Sequence, residues 1–277
     1  MNRTVEITLR QAIRVVFGNR CLSLKGESGR RLRYRPSEYP SLLLGMRHFE
    51  PDVRTEWQVL LRKGDVIFDV GANIGLTVDR CWSLLGGECH IWAFEPVHRN
   101  LELLRTNVGE LGSDRVFIVP CALGDRDGEA EFLDNLEHGG LSCLEAVTLE
   151  ASVSCDSRQQ KSKFLWRHTR RTPLPVATLD AFLRIRPDVH PTFLKLDVEG
   201  AARLVIAGGR RTLETHRPVI SCSFHGATER RNVIEGVTSM GYKGVRMWPG
   251  GVQTLCSPAD SNGTFVHEAN VPLSVIA

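Results

Sequence analysis

Short apolar runs alternate with amphipathic segments through the middle of the chain. The runs are typical of buried strands, and segments with apolar residues three or four positions apart are typical of helices. The pattern predicts strands at 66–70, 90–94, 116–119, 192–196 and 219–224. It predicts helices at 54–61, 76–85, 100–111, 201–207 and 230–240. This alternation indicates a Rossmann-like α/β fold, in which a mostly parallel, doubly wound sheet carries helices on both faces.

Two segments depart from the alternation. Residues 1–50 are predicted to be a lead-in or cap, with a weakly amphipathic helix within 7–17 and strand-like character over 22–34, and 51–277 to form the main domain. Residues 133–175 are predicted to be a long polar loop. Its basic residues are Arg158, Lys161, Lys163, Arg167, Arg170 and Arg171. Loops of this length are often functional, so a solvated face and a lid over a substrate are both open.

The composition limits the class of protein. The 277 residues are 42% hydrophobic and 24% charged, as is usual for a globular domain. A net charge of +3 is too small to favour nucleic acid or an acidic membrane surface as a partner. No apolar stretch approaches the roughly 20 residues of a membrane-spanning helix, and the N-terminus lacks a signal peptide's apolar core. The eight cysteines are dispersed without a C-x-x-C pair, which disfavours zinc sites and disulfides and predicts a cytoplasmic protein.

A glycine-rich turn, D-V-G-A-N-I-G at 69–75, follows the first of these strands. Its glycines are expected to let the backbone approach a ligand, and free N–H groups at the helix start would face that ligand. The D-x-G-x-x-x-G spacing differs from the G-x-G-x-x-G of dinucleotide-binding proteins. It favours S-adenosylmethionine (SAM), which carries an amino-acid moiety and no phosphate, over a plain structural turn. The residues assigned to this moiety are Asp69, for the ammonium, and Gly71, Ala72, Asn73 and Gly75, for the carboxylate.

Two later strand ends extend the predicted cofactor site. Glu95, followed by Pro96, ends the second strand, where a carboxylate accepts hydrogen bonds from ribose hydroxyls in Rossmann-type proteins. An NAD enzyme would also place an acid here, and the glycine spacing is what favours SAM. After the third strand, Cys121 and Ala122 are predicted to edge the adenine, although a plain turn is the alternative.

The motifs of this chain resemble those of the FkbM family of methyltransferases. Five blocks carry the resemblance: HFEP at 48–51, GDVIFDVGANIG at 64–75, AFEP at 93–96, ATLD at 177–180 and LKLDVEGA at 194–201. The resemblance covers roughly 45–245 and implies a class I methyltransferase fold. It also implies SAM-dependent methylation, usually of a hydroxyl oxygen on a sugar, polyketide or similar metabolite. Ala202 and Ser223 stand where the family often has acids.

The residues that contact the methyl acceptor are expected at the carboxyl ends of the last two predicted strands, 192–196 and 219–224. Asp197, Glu199 and His225 are the predicted catalytic residues, because a hydroxyl acceptor must lose a proton and each could take it. Histidine has the unperturbed pKa best suited to that step. Structural roles for all three, and an ion pair between Lys195 and either acid, are the alternatives. No dedicated metal site is predicted, although the three could together hold a divalent cation.

The expected function is SAM-dependent O-methylation of a small hydroxylated acceptor. The basic loop hints at an anionic acceptor, and a homo-oligomer is one arrangement that the sequence leaves open. No N/D-P-P-Y/F-like motif follows the fourth strand, so nucleic acid is disfavoured as the acceptor. The alternatives are a different acceptor atom, a catalytically degenerate SAM-binding domain that serves a partner protein, and a nucleotide-cofactor oxidoreductase.

Overall fold

A computed structural model describes residues 12–13, 15–46, 49–112, 114–135, 143–144, 169–248, 251–254 and 262–270. Its strands are β1 (Leu22–Lys25), β2 (Arg31–Tyr34), β3 (Val66–Val70), β4 (His90–Phe94), β5 (Val116–Val119), β6 (Ala122–Leu123), β7 (Gly128–Asn135), β8 (Cys143–Leu144), β9 (Thr169–Ala177), β10 (Phe193–Leu196), β11 (Val219–Ser223), β12 (Tyr242–Trp248), β13 (Gly251–Thr254) and β14 (Asn262–His267). Its α-helices are α1 (Pro51–Leu60), α2 (Leu76–Leu85), α3 (His98–Val108), α4 (Leu179–Arg184), α5 (Ala202–Gly208), α6 (Arg210–His216) and α7 (Ala227–Thr238). Short 3₁₀-helices span Pro40–Leu44 and Glu268–Asn270.

Eight strands form the main sheet, in the order β13-β12-β14-β11-β10-β3-β4-β5. The strands from β11 to β5 are parallel, and β14, β12 and β13 are antiparallel. The parallel strands are those that the apolar runs predict, with bounds that differ by one residue at most. The predicted helices are also present, with ends shifted by three residues at most. The α/β fold class is therefore confirmed, whereas the antiparallel edge was not predicted.

Both faces of the parallel sheet are covered. Phe68, Phe94 and Leu196 belong to one apolar cluster, and Ile67 and Ile91 belong to a second. Consecutive residues of β3 thus enter different clusters, because successive side chains of a strand point to opposite faces. A strand buried on both faces needs apolar residues throughout, which explains the uninterrupted runs. The carboxyl ends of the parallel strands meet at one edge, where ligands bind in open α/β sheets.

A second sheet, in the order β6-β9-β7-β8, occupies both ends of the predicted basic loop. β7 pairs antiparallel with β9 from Gly128 opposite Val176 to Asn135 opposite Thr169. The prediction of a loop beginning at 133 and ending at 175 is therefore wrong at both ends. Exposed charges and two prolines in β9 hide the strand pattern, because one face of this sheet meets solvent. Of the predicted basic residues, Arg158, Lys161, Lys163 and Arg167 lie outside the described residues.

The N-terminal segment packs on the helices that flank the glycine-rich turn. β1 and β2 form a hairpin. The N–H of Arg33 in β2 donates to Asn107 Oδ1 on α3 at 2.6 Å, and Asn107 Nδ2 donates to the carbonyl oxygen of Arg33 at 2.9 Å. Tyr39 and Leu42 join Ile74 in one buried cluster. Of the helix predicted within 7–17, residues 12–13 and 15–17 are helical, and the others lie outside the described residues. Among the described helices, none has the length and apolar character needed to cross a membrane.

Candidate active site

The turn between β3 and α2 depends on two glycines with left-handed backbone, with φ of +80° at Gly71 and +89° at Gly75. A Cβ at Gly71 would lie 2.0 Å from the backbone oxygen of Asp197, which follows β10. A Cβ at Gly75 would lie 2.9 Å from Leu104 Cδ1 and from Val108 Cγ1 on α3. Both glycines therefore permit close packing within the protein. Gly71 allows the ends of β3 and β10 to lie close together, and Gly75 allows α2 to pack directly against α3.

The backbone N–H groups at the start of this turn are already hydrogen bonded. Those of Gly71 and Ala72 donate to the carbonyl oxygen of Phe94, at 3.0 and 2.9 Å. That of Asn73 donates to Glu95 Oε2 at 2.9 Å. These three N–H groups hold the turn against the end of β4 and are not available to a ligand. The prediction for the N–H groups at the start of α2, which begins at Leu76, stays a prediction. The Nδ2 group of the Asn73 side chain is a further hydrogen-bond donor of this turn.

A cavity of about 70 Å³ opens beside the turn. Six of the residues assigned to the cofactor line it, namely Gly71, Asn73, Glu95, Pro96, Cys121 and Ala122. Asp197 and Glu199 line it as well. Of the other assigned residues, Ala72 lines the second cavity described below, and Asp69 and Gly75 line neither.

Glu95 enters the first cavity from the end of β4 and is 4% exposed. Its Oε1 accepts hydrogen bonds from the N–H of Val97 at 2.8 Å and from Asn100 Nδ2 at 3.3 Å. Its Oε2 accepts one from the N–H of Asn73, which leaves a lone pair for a ligand hydroxyl. Burial raises the pKa of Glu95 to about 7, although the hydrogen bonds act in the opposite direction.

Asp69 forms a buried ion pair with Lys195 and does not line the first cavity. It is fully buried in β3, and its Oδ1 lies 2.8 Å from Nζ of Lys195, its register partner on β10. Lys195 Nζ also donates to the carbonyl oxygen of Gly71 at 2.8 Å. The assignment of Asp69 to a cofactor ammonium, directly or through water, stays a prediction. Lys195 pairs with Asp69, whereas the sequence suggested Asp197 or Glu199 as its partner.

A second cavity, of about 540 Å³, adjoins the first. The residues that line both are Gly71, Asn73, Asp197 and Glu199. The N-terminal segment supplies Glu38, Tyr39 and Glu50 to the second cavity, and His225 lines it from beyond β11. The lead-in segment thus borders the pocket at Glu50. His48, which the sequence places beside it, lies outside the described residues.

The structure brings Asp197, Glu199 and His225 together where the two cavities meet. Asp197 follows β10 directly, and Glu199 has a left-handed φ of +47° in the turn before α5. His225 Nε2 lies 3.3 Å from Asp197 Oδ1 and 3.5 Å from Glu199 Oε1. Potential metal-ligand atoms of the three side chains all lie within 4.8 Å of one another. Two carboxylates and an imidazole therefore line the second cavity together.

A comparison with known families agrees with this geometry. The model of the methyltransferase FkbM domain matches residues 69–248, which include the turn, Glu95 and the cluster beyond β10 and β11. The chain belongs to the FkbM methyltransferase family. The resemblance noted from its sequence blocks is thus confirmed.

The chain is similar to a curated protein and to solved structures, and it spans less than two thirds of the length of the first of each. The 2-O-methyltransferase NoeI of Sinorhizobium fredii (strain NGR234) is 31% identical over 163 residues, which cover 57% of this chain and 63% of NoeI, less than two thirds of its length. Methyltransferase FkbM from Methylobacillus flagellatus is 18% identical, with a TM-score of 0.49, over 76% of this chain and 45% of that one. An O-methyltransferase from Bacillus cereus is 13% identical, with a TM-score of 0.39, over 83% and 86% of the two chains.

The pKa values of His225, Asp197 and Glu199 in this member of the FkbM family differ from those of isolated side chains. Burial would lower the pKa of His225, but hydrogen bonds to Asp197 and Glu229 and the charge of Glu199 raise it to about 10. Burial acts to raise the pKa of Asp197, but His225 and Lys195 outweigh it and lower that pKa. Burial raises the pKa of Glu199 to about 7. His225 is therefore protonated at neutral pH and cannot accept a proton, whereas Glu199 can.

Two residues of the site were missed from the sequence. Glu229, in α7, accepts hydrogen bonds from the N–H groups of His225 at 2.7 Å and Ala202 at 3.1 Å. Its position four residues after His225 is a local signal that could have found it. The hydroxyl of Tyr39 donates to Asn73 Oδ1. No sequence pattern links these two residues, because the contact depends on how the N-terminal segment packs.

Proposed function

We propose that this methyltransferase transfers the methyl group of SAM to a hydroxyl oxygen of a small molecule such as a sugar or polyketide. The observation that carries the proposal is the pair of adjoining cavities that share Asp197 and Glu199. One holds most of the residues assigned to the cofactor, and the other is open to an acceptor. The name of the relative NoeI, a 2-O-methyltransferase, supports oxygen as the acceptor atom.

The first cavity suits SAM, the cofactor that methyltransferases of this family use. Glu95 presents a carboxylate oxygen with a free lone pair, which fits a ribose hydroxyl. Asn73 presents its side chain to the same cavity and fits the carboxylate of the amino-acid moiety. Cys121 and Ala122 offer small side chains beside a flat ring. SAM supplies an activated methyl group on a good leaving group, so the protein mainly has to align the acceptor and remove its proton.

Glu199 is the proposed proton acceptor. Its pKa of about 7 lies near neutrality, where a general base is most effective. His225 stays protonated and stabilises negative charge as it develops on the acceptor oxygen. Asp197 stays ionised and holds His225 in place. The three predicted catalytic residues thus receive different roles, and the histidine no longer serves as the base.

The second cavity favours a neutral hydroxylated acceptor over an anionic one. Four carboxylates line it, those of Glu38, Glu50, Asp197 and Glu199. Among the described residues that line it, the basic side chains are those of Lys195 and His225, and both are already paired with carboxylates. Arg170 and Arg171, which suggested an anionic acceptor, lie in β9 and line neither cavity. An acceptor that is methylated faster as its phosphate ester than as its neutral parent would contradict this proposal.

Calorimetric titration with SAM and with S-adenosylhomocysteine (SAH), followed by methyl-transfer assays on hydroxylated acceptors, tests the proposed function. Micromolar binding of both compounds with transfer to oxygen is the expected result. Failure of both to bind would contradict the proposal. Binding without turnover of any acceptor would favour the degenerate-domain alternative.

The cellular setting is also a proposal. We infer a cytoplasmic location, which the free thiols of the described part of the chain support: Cys21, Cys81, Cys89, Cys121 and Cys222. Assembly of the chain into a homo-oligomer, and a main domain that starts at residue 51, stay predictions.

A further inference from the structure

We propose that Tyr39 is a positioning residue that orients the Asn73 carboxamide toward the carboxylate of the SAM amino-acid moiety. This role rests on the proposed function and places part of the N-terminal segment in the cofactor site. Tyr39 lies outside both the predicted main domain, 51–277, and the family match, 69–248.

The hydrogen bonds of Asn73 determine which of its groups is available to a ligand. Its backbone N–H is bonded to Glu95, and its Oδ1 accepts the hydroxyl hydrogen of Tyr39. Among the described residues, none accepts a hydrogen bond from Asn73 Nδ2. Because Asn73 lines the first cavity, the two Nδ2 hydrogens are available to an anion there. The neighbouring N–H groups of Gly71 and Ala72 are committed to Phe94, so the carboxamide can donate where these two cannot.

Tyr39 is held firmly enough to impose this orientation. It is 9% exposed, and its N–H donates to the carbonyl oxygen of Arg35 at 2.9 Å. The preceding Glu38 forms ion pairs of 3.6 Å with Arg35 and with Arg99 on α3. Burial keeps the pKa of the Tyr39 hydroxyl well above its usual value, so the group remains a hydrogen-bond donor. Because the Tyr39 hydroxyl donates to Asn73 Oδ1, the oxygen end of the Asn73 amide is turned toward Tyr39.

Loss of the Tyr39 hydroxyl should therefore weaken only ligands that carry the amino-acid moiety. Without this donor the carboxamide can rotate and present Oδ1 to the ligand carboxylate, which an acceptor atom repels. SAH carries the moiety, and 5′-methylthioadenosine keeps the adenosine and sulfur but lacks it. In calorimetric titrations, Tyr39→Phe should raise the Kd of SAH about tenfold and change the Kd of 5′-methylthioadenosine less than twofold. Loss of one hydrogen bond to a charged group is an effect of this size.

Tyr242→Phe is the matched control, because the Tyr242 hydroxyl is also buried and donates to a carbonyl oxygen, that of Leu213 at 3.2 Å. This variant should leave both Kd values unchanged. Asn73→Asp should also weaken SAH selectively, since Tyr39 can still donate to the new carboxylate. It tests the same geometry if Tyr39→Phe folds poorly.

Equal weakening of both ligands by Tyr39→Phe would show a merely structural role and overturn the proposal. Unchanged SAH affinity in Tyr39→Phe would also overturn it. Wild-type protein that binds neither ligand would instead contradict the proposed function, and with it the role of Tyr39.

Discussion

His225 Nε2 lies 3.3 Å from Asp197 Oδ1, so an ion pair joins the chain segments that leave β10 and β11. The two strands are parallel neighbours, and the pair lies just beyond their last register partners, Leu196 and Cys222. Asp197 keeps His225 protonated and in place, while Glu199 keeps a pKa of about 7. Within the cluster, His225 is thus the cation and Glu199 is the group that titrates near neutrality. The residue types alone do not reveal this difference.

The first prediction is a bell-shaped pH dependence of kcat. Activity should rise as Glu199 ionises near pH 7 and fall as His225 loses its proton near pH 10. Glu199→Gln should lower kcat by about 10²–10⁴-fold, because it removes a general base. Rate measurements from pH 5.5 to 10.5 with saturating acceptor check this.

Glu235→Gln is the control for that substitution, since Glu235 is an exposed carboxylate on α7 and should give wild-type rates. A Glu199→Gln variant that retained both the rate and the rise near pH 7 would assign the base elsewhere. Asp197 would not replace it at that pH, because its pKa is lowered.

The sequence predicted the strands that build the site but not every contact within it. The parallel strands were found because burial on both faces requires uninterrupted apolar residues, as in β3. β7 and β9 were missed because exposed charges and prolines interrupt their pattern. The ion pair of Asp69 with Lys195 was missed because the two residues are adjacent only once β3 and β10 pair. A motif reports residue types, whereas the partner of a buried charge depends on the fold.

The second prediction is that methyl transfer does not require a divalent cation. The spacing of Asp197, Glu199 and His225 would fit a cation, but His225 Nε2 already pairs with Asp197 at 3.3 Å and with Glu199 at 3.5 Å. A cation would have to break these ion pairs. Incubation with EDTA followed by removal of the chelator should leave kcat unchanged. Activity that is lost with EDTA and restored by Mg²⁺ would show that the cluster binds metal instead.

The third prediction concerns Glu95 and the pH dependence of SAH binding. An ionised carboxylate is the better acceptor for ribose hydroxyls, and the pKa of Glu95 in the folded protein is about 7. The affinity for SAH should therefore rise between pH 6 and pH 8. Glu95→Gln should bind SAH more weakly than wild type at pH 8 and with little dependence on pH. Calorimetric titration across this range checks both variants, and a parallel pH dependence in Glu95→Gln would exclude Glu95 as its source.

The same pKa predicts how Glu95 affects stability. Its folded-state pKa is raised from 4.5 to about 7, so between these values the folded state binds more protons than the unfolded state. The free energy of unfolding should then fall as pH rises through this window, by about 3 kcal/mol in all. In Glu95→Gln this contribution should be absent. Urea denaturation at pH 4.5, 6 and 8 measures the difference, and identical pH profiles for the two proteins would contradict the raised pKa.

The last prediction tests why Gly71 must be glycine. A Cβ there would lie 2.0 Å from the backbone oxygen of Asp197, so Gly71→Ala would force the carboxyl ends of β3 and β10 apart. Gly64 is a matched control, because its φ of +90° is also left-handed but nothing lies within 4 Å of an added Cβ. Gly64→Ala should cost about 1 kcal/mol of unfolding free energy from backbone strain, and Gly71→Ala about 3 kcal/mol or more. Equal losses in urea denaturation would mean that the backbone conformation, and not the contact with Asp197, explains this glycine.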